Sequence, residues 1–295
     1  MQRPCRKMMT RRKILKIIVS FLFILAFLYM SIWILWGNTA LMVNEIIISS
    51  GHIPSVFSSF RIAQVSDLHN AEFGEDNEKL LQMLSECDPD IIVITGDLVD
   101  ANHTDIDVAL AFADEAVKIA PTYYVTGNHE AVISRYDVLK SGLETAGVIV
   151  LEDEAISLER NGDSIILIGL SDPDATIKGD LFGEVPAMVS TKLRSLMEGN
   201  SGYTVLLSHR PELFETYVSN SIDLVLSGHA HGGQFRLPFV GGLIAPNQGL
   251  LPKYDAGLYT GCNTKMVVSR GIGNSIIPIR FNNRPEIVVV TLISL

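Results

Sequence analysis

The strongest constraint on the fold is a short apolar run that ends in a residue able to bind a metal. Ile91–Thr95 is a run of five residues with high strand propensity, and Gly96 and Asp97 follow it directly. An unbroken run of this kind suits a strand that is buried on both faces of a parallel sheet. A carboxylate at its carboxyl end lies where open α/β sheets bind their ligands. On its own, however, the sequence fits a simple Gly-Asp turn at least as well.

The histidines favour a metal site over a simple turn. Of the seven histidines in the chain, five directly follow predicted apolar strands. Asp67 lies two residues before His69, and residues i and i+2 of an extended chain point to the same side. His229 and His231 repeat this spacing. The sequence therefore predicts a metal site at the ends of several strands, built from His69, His129, His209, His229 and His231 with Asp67, Asp97 and Asn128.

Helical and strand patterns alternate between residues 61 and 147, which predicts parallel strands with right-handed crossovers. The strands predicted here are 61–66, 91–95 and 122–126, with an edge strand at 42–50. Helices are predicted over 77–87 and 104–118. Thr104 is the expected cap of the second helix, and Ser134 caps a third one that ends at Gly147.

The second half of the chain is richer in strands. Its predicted strands are 148–151, 155–158, 164–170, 203–207, 224–226, 265–270 and 286–294. The sequence Asn161-Gly162-Asp163 predicts a hairpin turn. Asp172, Pro173 and Asp174 open a polar loop, and a helix is predicted over 191–197. We therefore expect an α/β fold in which a second sheet packs on the first.

The N-terminal part of the chain predicts a membrane anchor. Ile17 to Trp36 is a stretch of 20 residues without a charged side chain, and a helix of that length spans about 30 Å of hydrocarbon. Tyr29, Trp33 and Trp36 lie towards one end, where aromatic side chains favour the membrane interface. Residues 1–16 hold seven Lys and Arg and no acid, so the positive-inside rule places them in the cytoplasm.

Two other roles of this segment stay open. A cleaved signal peptide has an apolar core of about 7–15 residues and a small-residue cleavage site. The present core is longer, and Gly-Asn-Thr-Ala at 37–40 matches such a site poorly. Residues 10–16 also resemble a twin-arginine export signal, which would carry a folded protein, although Arg11 and Arg12 fit equally well as members of the basic cluster.

Charge and cysteine content exclude two classes of protein. The chain carries 33 acidic against 23 basic side chains, and seven of the basic ones lie in residues 1–16. The acidic remainder argues against nucleic-acid binding, which requires Lys and Arg to neutralise phosphates. Three cysteines do not make a disulfide framework. A bridge between Cys87 and Cys262 is allowed but not required by the sequence.

The motifs resemble those of the calcineurin-like metallophosphoesterases. In chain order they are Asp67-x-His69, Gly96-Asp97-x-x-Asp100, Gly127-Asn128-His129-Glu130, Ser208-His209 and Gly228-His229-x-His231. The resemblance covers about residues 60–292. The Ser-Asp-Leu-His opening, the His-Gly-Gly-Gln extension and the N-terminal anchor are most similar to a small membrane-associated bacterial branch. The resemblance implies an α/β fold, a four-layer αββα sandwich, preceded here by one N-terminal transmembrane helix.

The resemblance also implies a centre of two divalent metal ions, with Mn, Fe or Zn suited to imidazole, carboxylate and amide ligands. The implied ligands are Asp67, His69 and His231 for one ion, Asn128, His209 and His229 for the other, and Asp97 as a bridge between them. Two such ions about 3.5–4 Å apart clamp a phosphate and lower the pKa of a shared water. The resemblance implies that a hydroxide formed from this water would attack phosphorus.

Further roles follow from the same resemblance. His129 is expected to stabilise or protonate the leaving oxygen, and Glu130 is expected to orient His129. Asp100 matches its motif, and we interpret it as structural support. Arg210 and Arg270 either contact the substrate phosphate or form ordinary salt bridges.

The sequence thus predicts a basic cytoplasmic segment (1–16), a transmembrane helix (17–36), a linker (37–60) and a metallophosphoesterase domain (61–295). The expected activity is hydrolysis of phosphoesters, more readily diesters than monoesters, on phospholipid, lipid-linked or cell-envelope substrates outside the cell. Two alternatives remain open. One is a catalytically inactive metal-binding scaffold of the same fold, and the other is a phosphatase that faces the cytosol.

We predict that the catalytic domain faces outward, because seven basic residues precede the apolar segment and residues 17–36 carry no charge. Protease added to intact cells with an accessible wall should degrade residues 61–295. Protection of this domain until the membrane is broken would contradict the predicted topology.

Overall fold

The computed structural model describes residues 10–173, 184–274 and 278–295. The expectations for Arg3, Arg6, Lys7 and Asp174 lie outside these residues. The helices are α1 (Arg11–Thr39), α2 (Glu78–Glu86), α3 (Ile106–Ile119), α4 (Tyr136–Ala146), α5 (Glu184–Met197) and α6 (Phe214–Ser219).

Two six-stranded sheets form the centre of the domain. The strands of the first are β1 (Met42–Ser50), β2 (Arg61–Val65), β3 (Ile91–Thr95), β4 (Thr122–Val125), β5 (Ile149–Val150) and β16 (Glu286–Ser294). The strands of the second are β6 (Glu154–Arg160), β7 (Asp163–Gly169), β8 (Tyr203–Leu207), β9 (Leu224–Ser227), β14 (Gly257–Gly261) and β15 (Thr264–Val268). The described residues also form two small hairpins. In one, β10 (Arg236–Leu237) pairs with β11 (Gly241–Gly242), and in the other β12 (Ile244–Ala245) pairs with β13 (Gly249–Leu250).

Most neighbouring strands of both sheets are parallel. The first sheet has the order β1-β16-β2-β3-β4-β5, and only the β16–β2 pair is antiparallel. The second has the order β14-β15-β9-β8-β7-β6, with antiparallel pairs at its two edges. Every residue of β3, β4, β8 and β9 is buried, as their continuous apolar sequences predict. The carboxyl ends of these strands can therefore meet at one edge.

Three apolar cores separate four layers, which confirms the predicted α/β sandwich. The first core lies between α2, α3 and α4 and the outer face of the first sheet, and includes Leu84 and Phe112. The second lies between the two sheets, where Val93 packs with Leu167 and Val205. The third packs α5 and α6 on the other sheet. Each sheet thus buries both faces, and its strand ends are left free for a site.

Helix α1 is long and apolar enough to cross a membrane, by length and composition alone. It extends beyond the predicted 17–36 at both ends. Its last turn is tied to the domain, because the side-chain oxygen of Asn38 accepts hydrogen bonds from the Arg280 backbone (3.1 Å) and the Asn274 side chain (3.1 Å). Arg284 donates to the carbonyl of Ala40 (2.7 Å), and its guanidinium lies 4.7 Å from the ring of Trp36.

Three helix starts differ from the predictions. Helix α3 is capped by Asp105, whose carboxylate accepts from the Asp107 backbone, and not by Thr104. Helix α4 begins at Tyr136 without a side-chain cap, so Ser134 is not its cap. Helix α5 reaches back to Glu184, before the predicted start at 191. Ser, Thr and Asp are all good caps, and the sequence alone does not choose between neighbouring candidates.

The other local predictions have mixed outcomes. The Asn161-Gly162 turn is confirmed, since both residues have positive φ and join β6 to β7 as a hairpin. Strand β1 is at the sheet edge as predicted. Cys87 and Cys262 are both free, one buried and one exposed, so the allowed disulfide does not form.

Candidate metal centre

The predicted ligand residues follow five strands whose carboxyl ends meet. The first sheet contributes Asp67 and His69 after β2, Asp97 after β3, and Asn128 with His129 after β4. The second contributes His209 after β8 and His229 and His231 after β9. Gln64 in β2 connects the strand ends of the two sheets, because its amide donates to the Thr95 side chain (2.9 Å) at the end of β3 and to the carbonyl of Ser227 (2.9 Å) at the end of β9.

The backbone at these strand ends is unusual. Asp67, His69, Asp97, His229 and His231 all have positive φ, between 47° and 66°. Such conformations are uncommon for residues other than glycine and cost about 1–3 kcal/mol each unless the surroundings hold them in place. The sharp turns they make bring side chains from successive positions to the same point.

One glycine makes the closest approach possible. Gly96 has a φ of 90°, and a Cβ atom there would lie 2.6 Å from the Gly127 backbone nitrogen and 2.8 Å from a ring nitrogen of His209. Only glycine fits this position without a shift of the backbone. The packing of the loops after β3, β4 and β8 thus requires the glycine at position 96.

The first group of candidate ligands consists of Asp67, His69 and His231, which are all buried. The Nε2 atoms of the two histidines are 3.2 Å apart. The Asp67 Oδ1 atom lies 3.4 Å from His231 Nε2 and 4.0 Å from His69 Nε2. Burial raises the pKa of Asp67 to about 6, and burial lowers that of His69 to about 4.

The second group consists of Asn128, His209 and His229. His209 Nε2 lies 3.2 Å from Asn128 Oδ1 and 3.1 Å from His229 Nδ1. The other ring nitrogen of His209, Nδ1, donates to the carbonyl of Thr95 (2.7 Å). This contact fixes the ring so that Nε2 faces the group, a common arrangement for histidines that bind metals.

Asp97 lies between the two groups. Its Oδ2 atom is 3.1 Å from His209 Nε2 and 3.6 Å from His69 Nε2. Burial opposes ionisation of Asp97, but the adjacent His209 and His69 outweigh it and hold its pKa well below the usual range. Burial would lower the pKa of His209, yet the charge of Asp97 outweighs it and raises this pKa to about 10. An anionic oxygen is therefore within reach of both groups.

The spacing of these atoms fits metal ions. Ligand bonds of about 2.0–2.2 Å place neighbouring ligand atoms about 3–3.5 Å apart. Most of the separations within each group lie in or near this range. Imidazole, carboxylate and amide donors suit Mn, Fe or Zn, and the described residues place no thiolate among them. Burying so many polar side chains is costly unless they are paired or bind a metal.

His129 lies beside the first group. Its ring centre is 4.5 Å from that of His69, and its backbone N–H donates to Asp97 Oδ1 (2.9 Å). The Ala101 backbone N–H donates to Nδ1 of the ring (2.8 Å). Because Nδ1 accepts, the neutral ring carries its proton on Nε2. The ring can therefore present an N–H group to an oxygen of a bound ligand.

The structure corrects the role predicted for Glu130. Its buried carboxylate accepts hydrogen bonds from three backbone N–H groups, of Gly127 (2.8 Å), Asp97 (2.8 Å) and Val99 (3.1 Å), and not from the His129 ring. Burial raises the pKa of Glu130 to about 7, while these donors favour its ionised form. Glu130 joins the loops after β3 and β4 and so sets the position of Asp97.

The remaining predicted residues have structural contacts. Arg210 forms a buried two-pronged salt bridge to Asp172 (2.6 and 2.8 Å), and its guanidinium lies 3.3 Å from His229 Nε2. The Nε atom of Arg270 lies 3.6 Å from a carboxylate oxygen of Glu286. Asp100 accepts from backbone N–H groups of its own loop, as expected for structural support.

Two contacts of the site were not predicted. The buried side chain of Asn283 donates to the carbonyls of His231 (2.7 Å) and Gln234 (3.2 Å) and holds the loop that follows β9. The Asn247 amide lies 3.4 Å from His229 Nε2. Neither residue directly follows a predicted strand, so the pattern that identified the histidines could not identify Asn247 or Asn283.

Comparison with known proteins identifies relatives. The family model described as calcineurin-like phosphoesterase matches residues 60–233. The uncharacterized metallophosphoesterase YkuE of Bacillus subtilis is 32% identical over 84% of this chain and 84% of its own. The phosphodiesterase YaeI of Escherichia coli is 30% identical over 79% of this chain and 82% of its own. A Bos taurus transmembrane protein with a metallophosphoesterase domain is 31% identical over 81% of this chain and 54% of its own.

We predict that Glu130→Gln loosens the centre without removing a ligand. A glutamine offers one acceptor oxygen to three N–H groups and turns its own amide donors towards them, which costs about 1–3 kcal/mol. Urea denaturation should show this loss, and the variant should bind Mn more weakly by calorimetry. The matched control is Glu144→Gln on the exposed face of α4, which should change neither quantity. Unchanged stability and Mn affinity in Glu130→Gln would contradict the assigned role.

Proposed function

The chain belongs to the calcineurin-like phosphoesterase family and is a metal-dependent phosphoesterase, and we propose that it holds two divalent ions and hydrolyses phosphodiesters. The ligand assignment we propose is the one implied by the motifs. Asp67, His69 and His231 bind one ion, Asn128, His209 and His229 bind the other, and Asp97 bridges them. His129 serves the leaving group.

The position of Asp97 is the observation that carries this proposal. Its Oδ2 atom lies within 3.6 Å of a histidine nitrogen from each group. A carboxylate oxygen so placed can bind two cations at once, which is the arrangement that supports in-line displacement at phosphorus. When bound, the cations polarise the phosphoryl oxygens and lower the pKa of a water molecule.

The residues around the ligands bind and orient the substrate. The Nε2–H of His129 is free of the Ala101 contact, which occupies Nδ1. It can donate to the oxygen that leaves, where negative charge develops. Arg210 is held by Asp172 and directs its guanidinium towards His229, so it supports the second group of ligands. These assignments make the centre a binding site for an anionic phosphoester in an otherwise acidic domain.

A diester substrate at a membrane is supported by the names of two relatives and by the attachment of α1 to the domain. One relative carries the name phosphodiesterase, and another is named as a transmembrane protein. Helix α1 is attached by its last turn to the domain through Asn38. We propose that the chain is a single-pass membrane protein with its catalytic domain outside, acting on phospholipid, lipid-linked or cell-envelope substrates. The presence of all seven ligand residues and His129 argues against an inactive scaffold.

The first test counts metals. Fully loaded parent protein should contain about two Mn, Fe or Zn ions per chain by elemental analysis. Asp97→Asn should lower the content and abolish hydrolysis of bis(4-nitrophenyl) phosphate, because an amide is a poorer bridge than a carboxylate. Asp114→Asn, on the exposed face of α3, is the matched control and should keep both ions and activity. One ion or none in the loaded parent would contradict the dinuclear centre.

The second test concerns His129. We expect His129→Ala to keep both ions and to lose more kcat/KM on alkyl diesters than on nitrophenyl diesters. A nitrophenolate leaves without a proton, whereas a poor alkoxide leaving group depends on a donor, whose help is worth about 10²–10⁴-fold. His103→Ala, an exposed histidine of the neighbouring loop, is the control. Equal losses across the leaving-group series would show that His129 acts on the phosphoryl oxygens instead.

A further inference from the structure

A group of exposed apolar side chains lies in the segment that follows the last ligand. Phe239 is fully exposed, Leu250 is 79% exposed and Leu251 is 64% exposed. Apolar residues in such number on one short segment of a soluble surface usually mark an interaction site. We call this set the apolar rim, and its members are Leu237, Phe239, Val240, Ile244, Leu250 and Leu251.

The pieces of chain that carry the rim are hydrogen-bonded side by side. The Leu243 backbone donates to the carbonyl of Phe235 (2.9 Å), and the Leu251 backbone donates to that of Leu243 (2.8 Å). On the other side, the Arg236 backbone donates to the carbonyl of Phe281 (2.9 Å). The two hairpins and residues 279–282 therefore form one continuous block, and the residues of the rim are exposed side chains of that block.

This block adjoins the metal centre. Asn247, at the turn of the β12–β13 hairpin, lies 3.4 Å from the ring of His229. Asn283, beside the same block, holds the carbonyl of His231. Through these two contacts the rim is fixed relative to both groups of ligands.

The same block is attached to the end of α1. Arg280, one residue before Phe281, donates its backbone N–H to Asn38 in the last turn of the helix. Its buried guanidinium donates to the carbonyl of Arg270 (2.9 Å), in the loop that carries Gly271 against Asp67. Arg284 lies over Trp36, an aromatic residue of the type that sits at a membrane interface.

We propose that the apolar rim docks on the bilayer that α1 enters, and that it holds the metal centre at the level of lipid headgroups. The proposal rests on the membrane anchoring stated above. We choose the bilayer as the partner of the rim because the rim and the end of α1 are connected through one hydrogen-bonded block. Aromatic and aliphatic side chains at an interface bury their apolar area among the upper acyl chains. The substrate class that fits is a phosphodiester whose alcohol carries a lipid tail.

Docking can be measured on the full chain in phosphatidylcholine–phosphatidylglycerol nanodiscs without reference to activity. Phe239→Cys and Leu250→Cys, each labelled with the fluorophore NBD, are made in a chain with Cys5→Ser and Cys262→Ser. Val138→Cys on α4 is the matched control, since Val138 is also apolar and exposed. We expect doxyl groups near the lipid headgroups to quench the labels at 239 and 250 and to spare the label at 138.

Activity supplies the second readout. Phe239→Asp with Leu250→Asp should lower turnover of hexadecyl 4-nitrophenyl phosphate in the same bilayer by at least about fivefold, because a carboxylate resists transfer into hydrocarbon. Turnover of soluble methyl 4-nitrophenyl phosphate, which has the same leaving group, should not change. Val138→Asp should leave both rates unchanged.

Three results would overturn the proposal. The first is equal quenching at 239, 250 and 138. The second is an equal loss on both diesters in the aspartate variant. The third is energy transfer between rim labels on two chains without quenching by lipid, which would assign the rim to contact between copies. Failure of the phosphoesterase function is distinguishable, because the parent would then hydrolyse neither diester while the quenching would still report docking.

Discussion

The metal centre depends on the hydrogen bonds that the Glu130 carboxylate accepts. This carboxylate accepts hydrogen bonds from three backbone N–H groups in the loops after β3 and β4. Each of these donors is buried and would be costly to leave unpaired. By satisfying them together, Glu130 fixes the distance between the two loops and places Asp97 between the two groups of histidines.

The centre also stores backbone strain, and its surroundings hold that strain in place. Five candidate ligand residues have positive φ, which the hydrogen bonds around them maintain. The Asp67 backbone donates to the carbonyl of Gly96 (3.0 Å), and the His229 backbone donates to the Asp67 carboxylate (3.1 Å). The sandwich supplies the rigid strand ends on which these turns rest. Arg280 extends these contacts to the last turn of α1, so partly buried hydrogen bonds connect the centre with the end of this helix.

Much of the fold and of the candidate site can be predicted from local pattern. A strand that is buried on both faces reads as an unbroken apolar run, and β3 and β8 do so. A residue that directly follows such a strand lies at the carboxyl end of the sheet, whatever the conformation of its loop. That is why counting histidines after strands identifies residues that the fold brings together. The family motifs add the expected pairing of ligands because their spacing is specific.

The sequence by itself determined the α/β sandwich, the strands that carry the polar residues and the apolar segment of α1. Only the tertiary structure decided that Glu130 binds backbone and not His129, and that Asn283 supports His231. It also decided that the exposed hairpins adjoin both the centre and the helix end. The physical reason is the distance along the chain between the residues that make each contact. Strand and helix patterns follow from neighbours along the chain, whereas these contacts join residues far apart in sequence through turns whose left-handed backbone no local pattern specifies.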